Sequence, residues 1–170
     1  MIMNRAMKFR IYPNQEQRIL FAKTFGCTRF IWNHLFVDRI RYFEETGEVL
    51  NNTPAQYKEQ YPWLREVDSL ALANTQLDLN QAFQNHKKNP AHFGFPQFKA
   101  KHRTKKSYTT NNQKGSIRIE GKKIRLPKVG FVPIVQHRAI PDDWSIKSVT
   151  ITETPTGKYF ASILFEFESQ

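Results

Sequence analysis

A short stretch of alternating side chains near the amino terminus constrains the fold more than any other feature. Residues 7–12 alternate Lys8, Arg10 and Tyr12 with apolar residues, the period-two pattern of a strand with one buried face, and Pro13 ends it. The other strand-like stretches lie beyond residue 107, at residues 116–119, 123–126, 131–135, 146–152 and 159–167. They indicate a small β-barrel or sandwich, and the economical arrangement is a barrel with a helical insertion after its first strand.

Two helices are predicted directly after this strand. Asn14 and Gln17 have the spacing of a capping box, which satisfies free backbone NH groups at a helix start, and we expect the first helix to end at Gly26. A broad apolar stripe predicts a second helix over residues 28–46, with Gly47 as its left-handed terminus. Two consecutive helices of this kind can mimic a helix-turn-helix motif.

A polar loop separates these helices from a third. Residues 48–62 are rich in Asn, Thr and Pro, and they predict a loop with a short helix around residues 55–59. The third helix is capped by Asp68 or Ser69, carries apolar residues at spacings of three and four, and ends at the Asn-Pro pair at residues 89–90. Because the three helices can bundle, the sequence predicts an α+β fold with a helical domain inserted into the barrel.

The distribution of charge indicates a polyanionic partner. The chain has 26 Lys and Arg against 15 Asp and Glu, a net charge of +11, and this bias favours RNA, DNA or an anionic membrane surface. No acidic residue lies between Asp78 and Glu120, where cations alternate with aromatic residues. That combination suits contacts to phosphates together with stacking on bases, whereas the alternative for a long basic run is a solvated surface.

Other classes of function find little support in the sequence. No apolar run approaches the roughly 18 to 20 residues needed to span a bilayer, so we expect a cytosolic protein and no membrane partner. Cys27 is the only cysteine, and no paired spacing of Cys and His predicts a zinc site. Glu166 and Glu168 alternate with phenylalanines as on a solvated strand face, and Asp142 and Asp143 fit a turn. We therefore predict no catalytic residue and no metal site.

Several blocks of sequence carry a family resemblance. Residues 8–17 read KFRIYPNQEQ and residues 25–33 read FGCTRFIWN. Further blocks follow in order at residues 68–72, 82–83, 94–99, 107–108, 124–130 and 146–151. Together they resemble TnpB, the OrfB protein of small insertion-sequence transposons, an RNA-guided DNA nuclease. The specificity of the resemblance comes from the number of blocks in one order.

The resemblance implies two domains. Residues 1–13 and 105–170 correspond to a wedge domain, a β-barrel related to the oligonucleotide-binding barrel, and residues 14–104 to a helical recognition domain inserted after its first strand. In the family these domains hold a transposon-derived guide RNA and read a short DNA motif beside the target, while a RuvC nuclease domain and a zinc ribbon follow. We expect this chain to end before both, so that Mg ions are required only by the RuvC domain and this chain has no cofactor.

One set of residues is predicted to bind RNA. Five cations between residues 99 and 106 would repel one another unless RNA neutralised them, which favours a clamp on the RNA backbone. Phe30 and Trp32 could stack on bases, but aromatic residues at helical spacing are more often core, and core is favoured here. The predicted RNA contacts are Arg29, Asn33, Arg39, Lys99, Lys101, Arg103, Lys105, Lys106 and Tyr108.

A second set is implied, by position in the family's pattern, to read the DNA motif. Its members are Asn4, Asn51, Asn52, Ser69, Leu70, Ala73, Asn111 and Asn112. Asn side chains can form two hydrogen bonds to adenine in the major groove, and the alternative is that these asparagines only form turns. Ser69 and Ala73 are short where the family often carries longer polar residues, so we expect a different preferred motif.

Three hypotheses about function follow. The first is a lobe that binds guide RNA and target double-stranded DNA, and acts with a RuvC domain that a separate polypeptide can supply, in the bacterial or archaeal cytoplasm at the nucleoid. The second is a stand-alone, cleavage-incompetent RNA or DNA binder such as a transcriptional repressor. The third is an unguided helix-turn-helix module. Copurified RNA would argue against the third, and a partner carrying the RuvC carboxylates would favour the first.

Overall fold

The computed structural model describes residues 1–169 as a mixed α and β protein, which confirms the predicted class. Contacts divide the chain into two compact units, one formed by Met1–Ala22 with the chain from Lys105 onward, the other by Lys23–Thr104. The strands are β1 (Ile2–Ile11), β2 (Lys106–Asn111), β3 (Arg118–Glu120), β4 (Lys123–Leu126), β5 (Gly130–Val135), β6 (Ser145–Glu153) and β7 (Tyr159–Glu168). The helices are α1 (Gln15–Thr46), α2 (Ala55–Lys58), a 3-10 helix (Pro62–Glu66) and α3 (Ser69–Lys88).

The strand that precedes the helices lies in the middle of the sheet. All seven strands form one antiparallel sheet in the order β2-β6-β7-β1-β5-β4-β3. β1 pairs with β7 along its whole length, from Ile2 opposite Glu168 to Ile11 opposite Tyr159, and with β5 only at Arg10 and Ile11. The amino-terminal segment is thus held between strands that follow the helices, and the strand predicted over residues 7–12 is confirmed as part of β1.

The sheet curls into a half-barrel around an apolar core. Phe9, Ile163 and Phe165 are among its fully buried side chains. β2 and β3 are the two edges of the sheet in the described part of the chain, and β3 has only three residues. Because closure requires the edge strands to pair with each other, the sheet is an open half-barrel, and the predicted barrel is confirmed only as a curled antiparallel sheet.

The sequence pattern does not predict β2. Tyr108 and Thr110 are buried while Thr109 between them is not, so the strand has an inner face. Tyr108 is the only large apolar residue of the strand. A strand whose inner face is partly threonine gives a weak alternation signal. Asn111 consequently ends a strand, opposite Ser148 of β6, and does not lie in a turn.

One continuous helix replaces the first two predicted helices. α1 runs for 32 residues without interruption, so the predicted stop at Gly26 is wrong, and the two helices expected to mimic a helix-turn-helix are one. Gly26 does not have a positive φ, and its neighbours Phe25 and Cys27 are buried. Burial of this helix face outweighs the roughly 1 kcal/mol that a glycine costs in a helix interior.

The predicted helix ends are confirmed at three places. The Gln17 backbone NH donates to Asn14 Oδ1 at 2.8 Å, and the Asn14 NH donates to Gln17 Oε1 at 2.9 Å. Gly47 has a φ of 74° just after α1, and Asp68 Oδ1 accepts the Leu70 NH at 2.9 Å at the start of α3. Within residues 1–169, neither α1 nor any other helix combines the length and apolarity needed to cross a membrane.

Candidate nucleic-acid interface

Two of the predicted RNA contacts anchor a chain segment to α1. The amide of Asn33, only 8% exposed, accepts the Lys99 backbone NH at 2.7 Å and donates to the Lys99 carbonyl at 2.9 Å. Trp32, buried as predicted, donates its indole NH to the Gln97 carbonyl at 2.8 Å, and the Lys99 ammonium lies 3.9 Å from the centre of its ring. Burial lowers the pKa of Lys99, and the charge of Asp78 opposes this shift. Asn33 and Lys99 therefore have structural roles, and their contacts to RNA stay predictions.

A hydrogen-bond network connects α1, α3 and the loop after α1 through two other predicted residues. Arg39 Nε donates to Asn52 Oδ1 at 2.7 Å, and Arg39 Nη1 donates to Asn80 Oδ1 at 2.7 Å. Asn52 Nδ2 donates to the Tyr57 hydroxyl at 2.9 Å, which in turn donates to Asp38 Oδ2 at 2.5 Å. Burial lowers the pKa of Arg39 and raises that of Tyr57, and the hydrogen bond to Asp38 raises the latter further. Asn52 is buried, so its amide serves this network.

The remaining residues of the predicted RNA set differ in exposure. Lys101 and Arg103 are exposed in the helical unit, whereas Lys105 and Lys106 belong to the sheet unit and are also exposed. Lys106 forms an ion pair with Glu153 at 3.6 Å. Arg29, half-buried on α1, lines a cavity described below. Tyr108 is buried in the core of the sheet unit, 6.1 Å from the Phe21 ring, a position that does not suit the predicted stacking on bases.

The predicted DNA-reading residues of α3 lie in its first two turns. Ser69 and Ala73 are exposed and Leu70 is half-buried. Asp68 precedes them as the helix cap, and the Asn74 side chain donates to the Leu70 carbonyl at 2.9 Å. The first turns of α3 thus present two short side chains to solvent, which lets a groove of nucleic acid approach the helix backbone closely.

The other asparagines of that set fall into two groups. Asn4, on β1, and Asn51, before α2, are both exposed. Asn112 is used inside a turn, because its Nδ2 donates to the Ile146 carbonyl at 2.9 Å and its Oδ1 accepts the Ile117 NH at 3.0 Å. The turn-forming alternative therefore describes Asn112, while Asn4 and Asn51 stay predicted DNA contacts.

The side of the sheet opposite its core carries cations, aromatic rings and hydroxyls. On β1, Lys8 lies opposite Ser162 of β7 and Arg10 opposite Phe160, and hydroxyl residues of β6 and β2 continue both rows. We call this surface the outer sheet face. Its members are Lys8, Arg10, Tyr12, Ser107, Thr109, Thr150, Thr152, Phe160 and Ser162.

Arg10 gives the outer sheet face an unmet hydrogen-bonding requirement. Its guanidinium carbon lies 4.6 Å from the centre of the Tyr12 ring and 5.8 Å from that of Phe160, and the Lys8 ammonium lies 4.6 Å from the Phe160 ring. Arg10 Nε is buried and has no hydrogen-bond partner among residues 1–169. A buried donor left unbonded costs about 1–3 kcal/mol, and the oxygens of carboxylates and phosphates form strong hydrogen bonds with a guanidinium. Cations beside stacking rings are what single-stranded nucleic acid requires.

The sequence alone does not predict the outer sheet face as a site, although the alternation of β1 indicates part of it. The alternation that buries Met7 and Phe9 places Lys8, Arg10 and Tyr12 on the opposite face. A strand whose polar face is two cations and an aromatic ring differs from an ordinary solvated strand. Phe160 could be found only from the register of β1 with β7, which the sequence does not specify.

The groups of this interface suit binding of a phosphate backbone, and the acidic side chains nearby lie on the last strand. Within residues 1–169, no three His, Cys, Asp or Glu side chains lie close enough together to hold a metal ion. Glu166 lies on β7 opposite Asn4, and Glu168 makes an exposed ion pair with the amino terminus at 3.2 Å. The arrangement can orient a phosphate backbone and its bases.

The outer sheet face has the chemistry of a nucleic-acid-binding surface, and comparison with known sequences gives the family. Residues 1–48 match the family described as "Helix-turn-helix domain", that of OrfB proteins of IS605 elements, which supports a DNA-binding role. The chain is 30% identical over 116 residues to "Virulence protein VsdF" of Salmonella dublin, covering 59% of this chain and 96% of that protein.

Two longer relatives are similar over nearly the whole chain. A Streptomyces pristinaespiralis protein named "Putative RNA-guided DNA endonuclease" is 27% identical over 172 residues, covering 95% of this chain and 41% of the relative. "Putative RNA-guided DNA endonuclease InsQ" of Escherichia coli (strain K12) is 25% identical over 171 residues, with 96% and 41% covered. This chain belongs to the TnpB (OrfB) family, and it spans 41% of the length of these two relatives.

Proposed function

We propose that this chain is the guide-RNA-binding and DNA-motif-binding lobe of an RNA-guided DNA endonuclease of TnpB type, and that a RuvC domain performs the cleavage with Mg ions. The family and the net charge of +11 support a nucleic-acid partner. In this proposal the sheet unit is the wedge domain and the helical unit the recognition domain. The target DNA would bring the protein to the nucleoid.

The observation that carries the proposal is the grouping of Lys8 and Arg10 with the rings of Tyr12 and Phe160 on the outer sheet face. Cations beside aromatic rings offer contacts to phosphates together with ring surface for neighbouring bases. The outer sheet face is therefore proposed to bind the RNA, together with the exposed cations Lys101, Arg103, Lys105 and Lys106.

Reading of the DNA motif is proposed for exposed members of the second predicted set. Ser69 and Ala73 are exposed in the first two turns of α3, and their short side chains leave the helix backbone open to a groove of DNA. Asn51 is exposed in the loop before α2. Asn52 and Arg39 would act indirectly, by holding that loop against α1.

The experiment is a titration of guide RNA with the Lys8→Ala/Arg10→Ala variant at several salt concentrations. Losing two phosphate contacts should lower the slope of log affinity against log salt by about 1.4 to 1.8. The matched control is Lys122→Ala/Lys128→Ala, which removes two exposed cations of the same unit, in the turns between β3 and β4 and between β4 and β5. Equal slopes for both variants and the unaltered protein would refute RNA binding at this face.

A second candidate is a stand-alone binder that does not cleave. The observation in its favour is VsdF, because the similarity to this chain covers 96% of that protein. Purification from the host separates the two candidates, since the first requires RNA together with a RuvC domain, on the same or another polypeptide, and the second does not. The unguided helix-turn-helix hypothesis is not favoured, because α1 makes no turn between residues 15 and 46.

A further inference from the structure

The helical unit contains a cavity that no residue role described so far explains. Its volume is about 950 Å³, and it lies between one face of α1 and the stretch from Tyr57 to Glu66. Cavities that bind small organic groups have volumes of roughly 300–1,000 Å³, so the size suits a nucleotide. The α1 face includes Gly26, Phe30 and Arg41.

Aromatic rings form much of the wall, and two of them are open to solvent. The Phe30 ring meets the rings of Tyr61 and Trp63 edge-on, each 4.8 Å away between centroids, and stacks on His34 at 3.7 Å. Trp63 is 43% exposed and Phe98 is 61% exposed, although both line the cavity. Exposed aromatic side chains at the rim of a cavity suit a planar ligand that stacks on them and buries their surface.

The charges beside the rings favour an anionic group on that partner. Arg29 and Arg41 line the cavity, and no ion pair in the described part of the chain involves either of them. Of the two acids that line it, Glu66 pairs with Lys23 at 3.5 Å and Asp38 accepts the Tyr57 hydroxyl. The two arginines are therefore available for a phosphate.

Gly26 lines the same cavity at a position where the helix alone would prefer another residue. A Cβ built on Gly26 meets nothing within 4 Å, and the backbone there does not have a positive φ. Glycine in a helix interior lowers stability relative to alanine. Since neither space nor backbone requires glycine, its effect is to leave the cavity floor open.

The cysteine in the cavity is not suited to act as a nucleophile on a ligand. Cys27 lines the cavity, and burial together with the charge of Glu66 raises its pKa to about 11, against which Lys23 acts only partly. The thiol is therefore uncharged at neutral pH and a weak nucleophile. The cavity is suited to binding.

We propose that this cavity holds one unpaired nucleotide of the bound nucleic acid, with its base against Trp63 and Phe98 and its phosphate at Arg29 and Arg41. The proposal rests on the proposed function for its partner, and RNA and DNA share the chemistry that the cavity would bind. The base must leave its stack to enter, so single strands are bound here and continuous duplex is not.

The test uses the whole chain with three probes: a 12-nucleotide uridine RNA, a 12-nucleotide thymidine DNA and a DNA duplex of the same length. Trp63→Ala removes a stacking ring, and Gly26→Leu fills the floor with a good helix former. Each should weaken single-strand binding by about 5- to 150-fold, the range for loss of one stacked base, with little effect on the duplex. The single strand that shows the larger loss identifies the source of the nucleotide.

Matched controls separate the cavity from the rest of the molecule. Gly26→Ala should raise the melting temperature and leave binding within twofold, and Phe43→Ala removes an exposed ring of the same unit that does not line the cavity. If Gly26→Leu fails to fold, quenching of Trp63 fluorescence by the single strands, absent in Trp63→Phe, decides the question.

The two proposals fail in different ways. Unchanged single-strand affinity in Trp63→Ala and Gly26→Leu, with the loss in Lys8→Ala/Arg10→Ala intact, would overturn the cavity proposal alone. Equal weakening by Phe43→Ala would also overturn it, because the effect would not be specific to the cavity. If the unaltered protein binds none of the three probes and no guide RNA, both proposals are wrong.

Discussion

Replacing Asn52 by alanine separates a structural role from a DNA-reading role at one residue. Its side chain is 3% exposed and makes three hydrogen bonds, with Arg39 Nε, the Tyr57 hydroxyl and the Leu35 carbonyl. A hydrogen bond to a charged group contributes about 1.5–3 kcal/mol and a neutral one about 0.5–1.5 kcal/mol. Because the bonds share one network and are not additive, we expect the free energy of unfolding to fall by roughly 3 kcal/mol.

The assay is urea unfolding followed by circular dichroism at 222 nm, and Asn51→Ala is the control. Asn51 is the adjacent residue in the same loop and is exposed, so its replacement should change stability by less than about 0.5 kcal/mol. Equal stability of the two variants, with a change of DNA-motif preference only in Asn52→Ala, would refute the reasoning. In that case the network would not hold the loop, and the direct reading role predicted from the sequence would stand.

Three further predictions concern other contacts. Alkylation of Cys27 should follow a pH profile with its midpoint near 11, because the folded protein holds the thiol protonated, and a midpoint near the ordinary 9 would show an exposed thiol. The thiol of the unfolded chain loses its proton at a lower pH than the thiol of the folded protein. The contribution of Cys27 to the free energy of unfolding is therefore present below pH 9 and is lost as the pH rises towards 11. Gln17→Ala removes the capping-box bond from the Asn14 NH to Gln17 Oε1 and the bond from Nε2 to the Phe131 carbonyl at 2.8 Å. It should lower the free energy of unfolding by about 1–2 kcal/mol in thermal melts, where the exposed Gln15→Ala should have little effect. The last variant replaces four exposed cations by alanine and keeps Lys99; the four are Lys101, Arg103, Lys105 and Lys106. It should lower the slope of log RNA affinity against log salt by roughly 3 and leave the melting temperature unchanged. An unchanged slope would identify these cations as a solvated surface.

Helix ends that depend only on residues close in sequence could be predicted. The capping box at Asn14 and the left-handed Gly47 each involve residues within a few positions, and both are confirmed. Gly26 shows the limit of such signals, because a glycine is compatible with either a stop or a continuous helix. Contacts made elsewhere on α1 decided between the two.

The roles of several site residues depend on contacts that are distant in sequence, and the sequence does not predict those contacts. The amide of Asn33 forms hydrogen bonds with the backbone of Lys99, 66 residues away. In the sequence, an asparagine that bonds to the protein backbone cannot be distinguished from one that binds a base. The neighbouring cations predict an RNA contact for Tyr108, but its strand pairing buries it. In the candidate site, Arg10 and Tyr12 could be placed on a face from alternation, whereas their meeting with Phe160 required the register of β1 with β7.

The pairing of β1 with β7 sets an order on folding as the chain is synthesised. The ends of these strands are brought together although the amino terminus and Glu168 are 167 residues apart, so β1 has no long partner until β7 has left the ribosome. Residues 23–104 are contiguous and can make their contacts earlier. Closing a loop of this length carries an entropic cost before its contacts form, which makes sheet assembly the slow step. The outer sheet face, which depends on the register of these two strands, would thus be completed last.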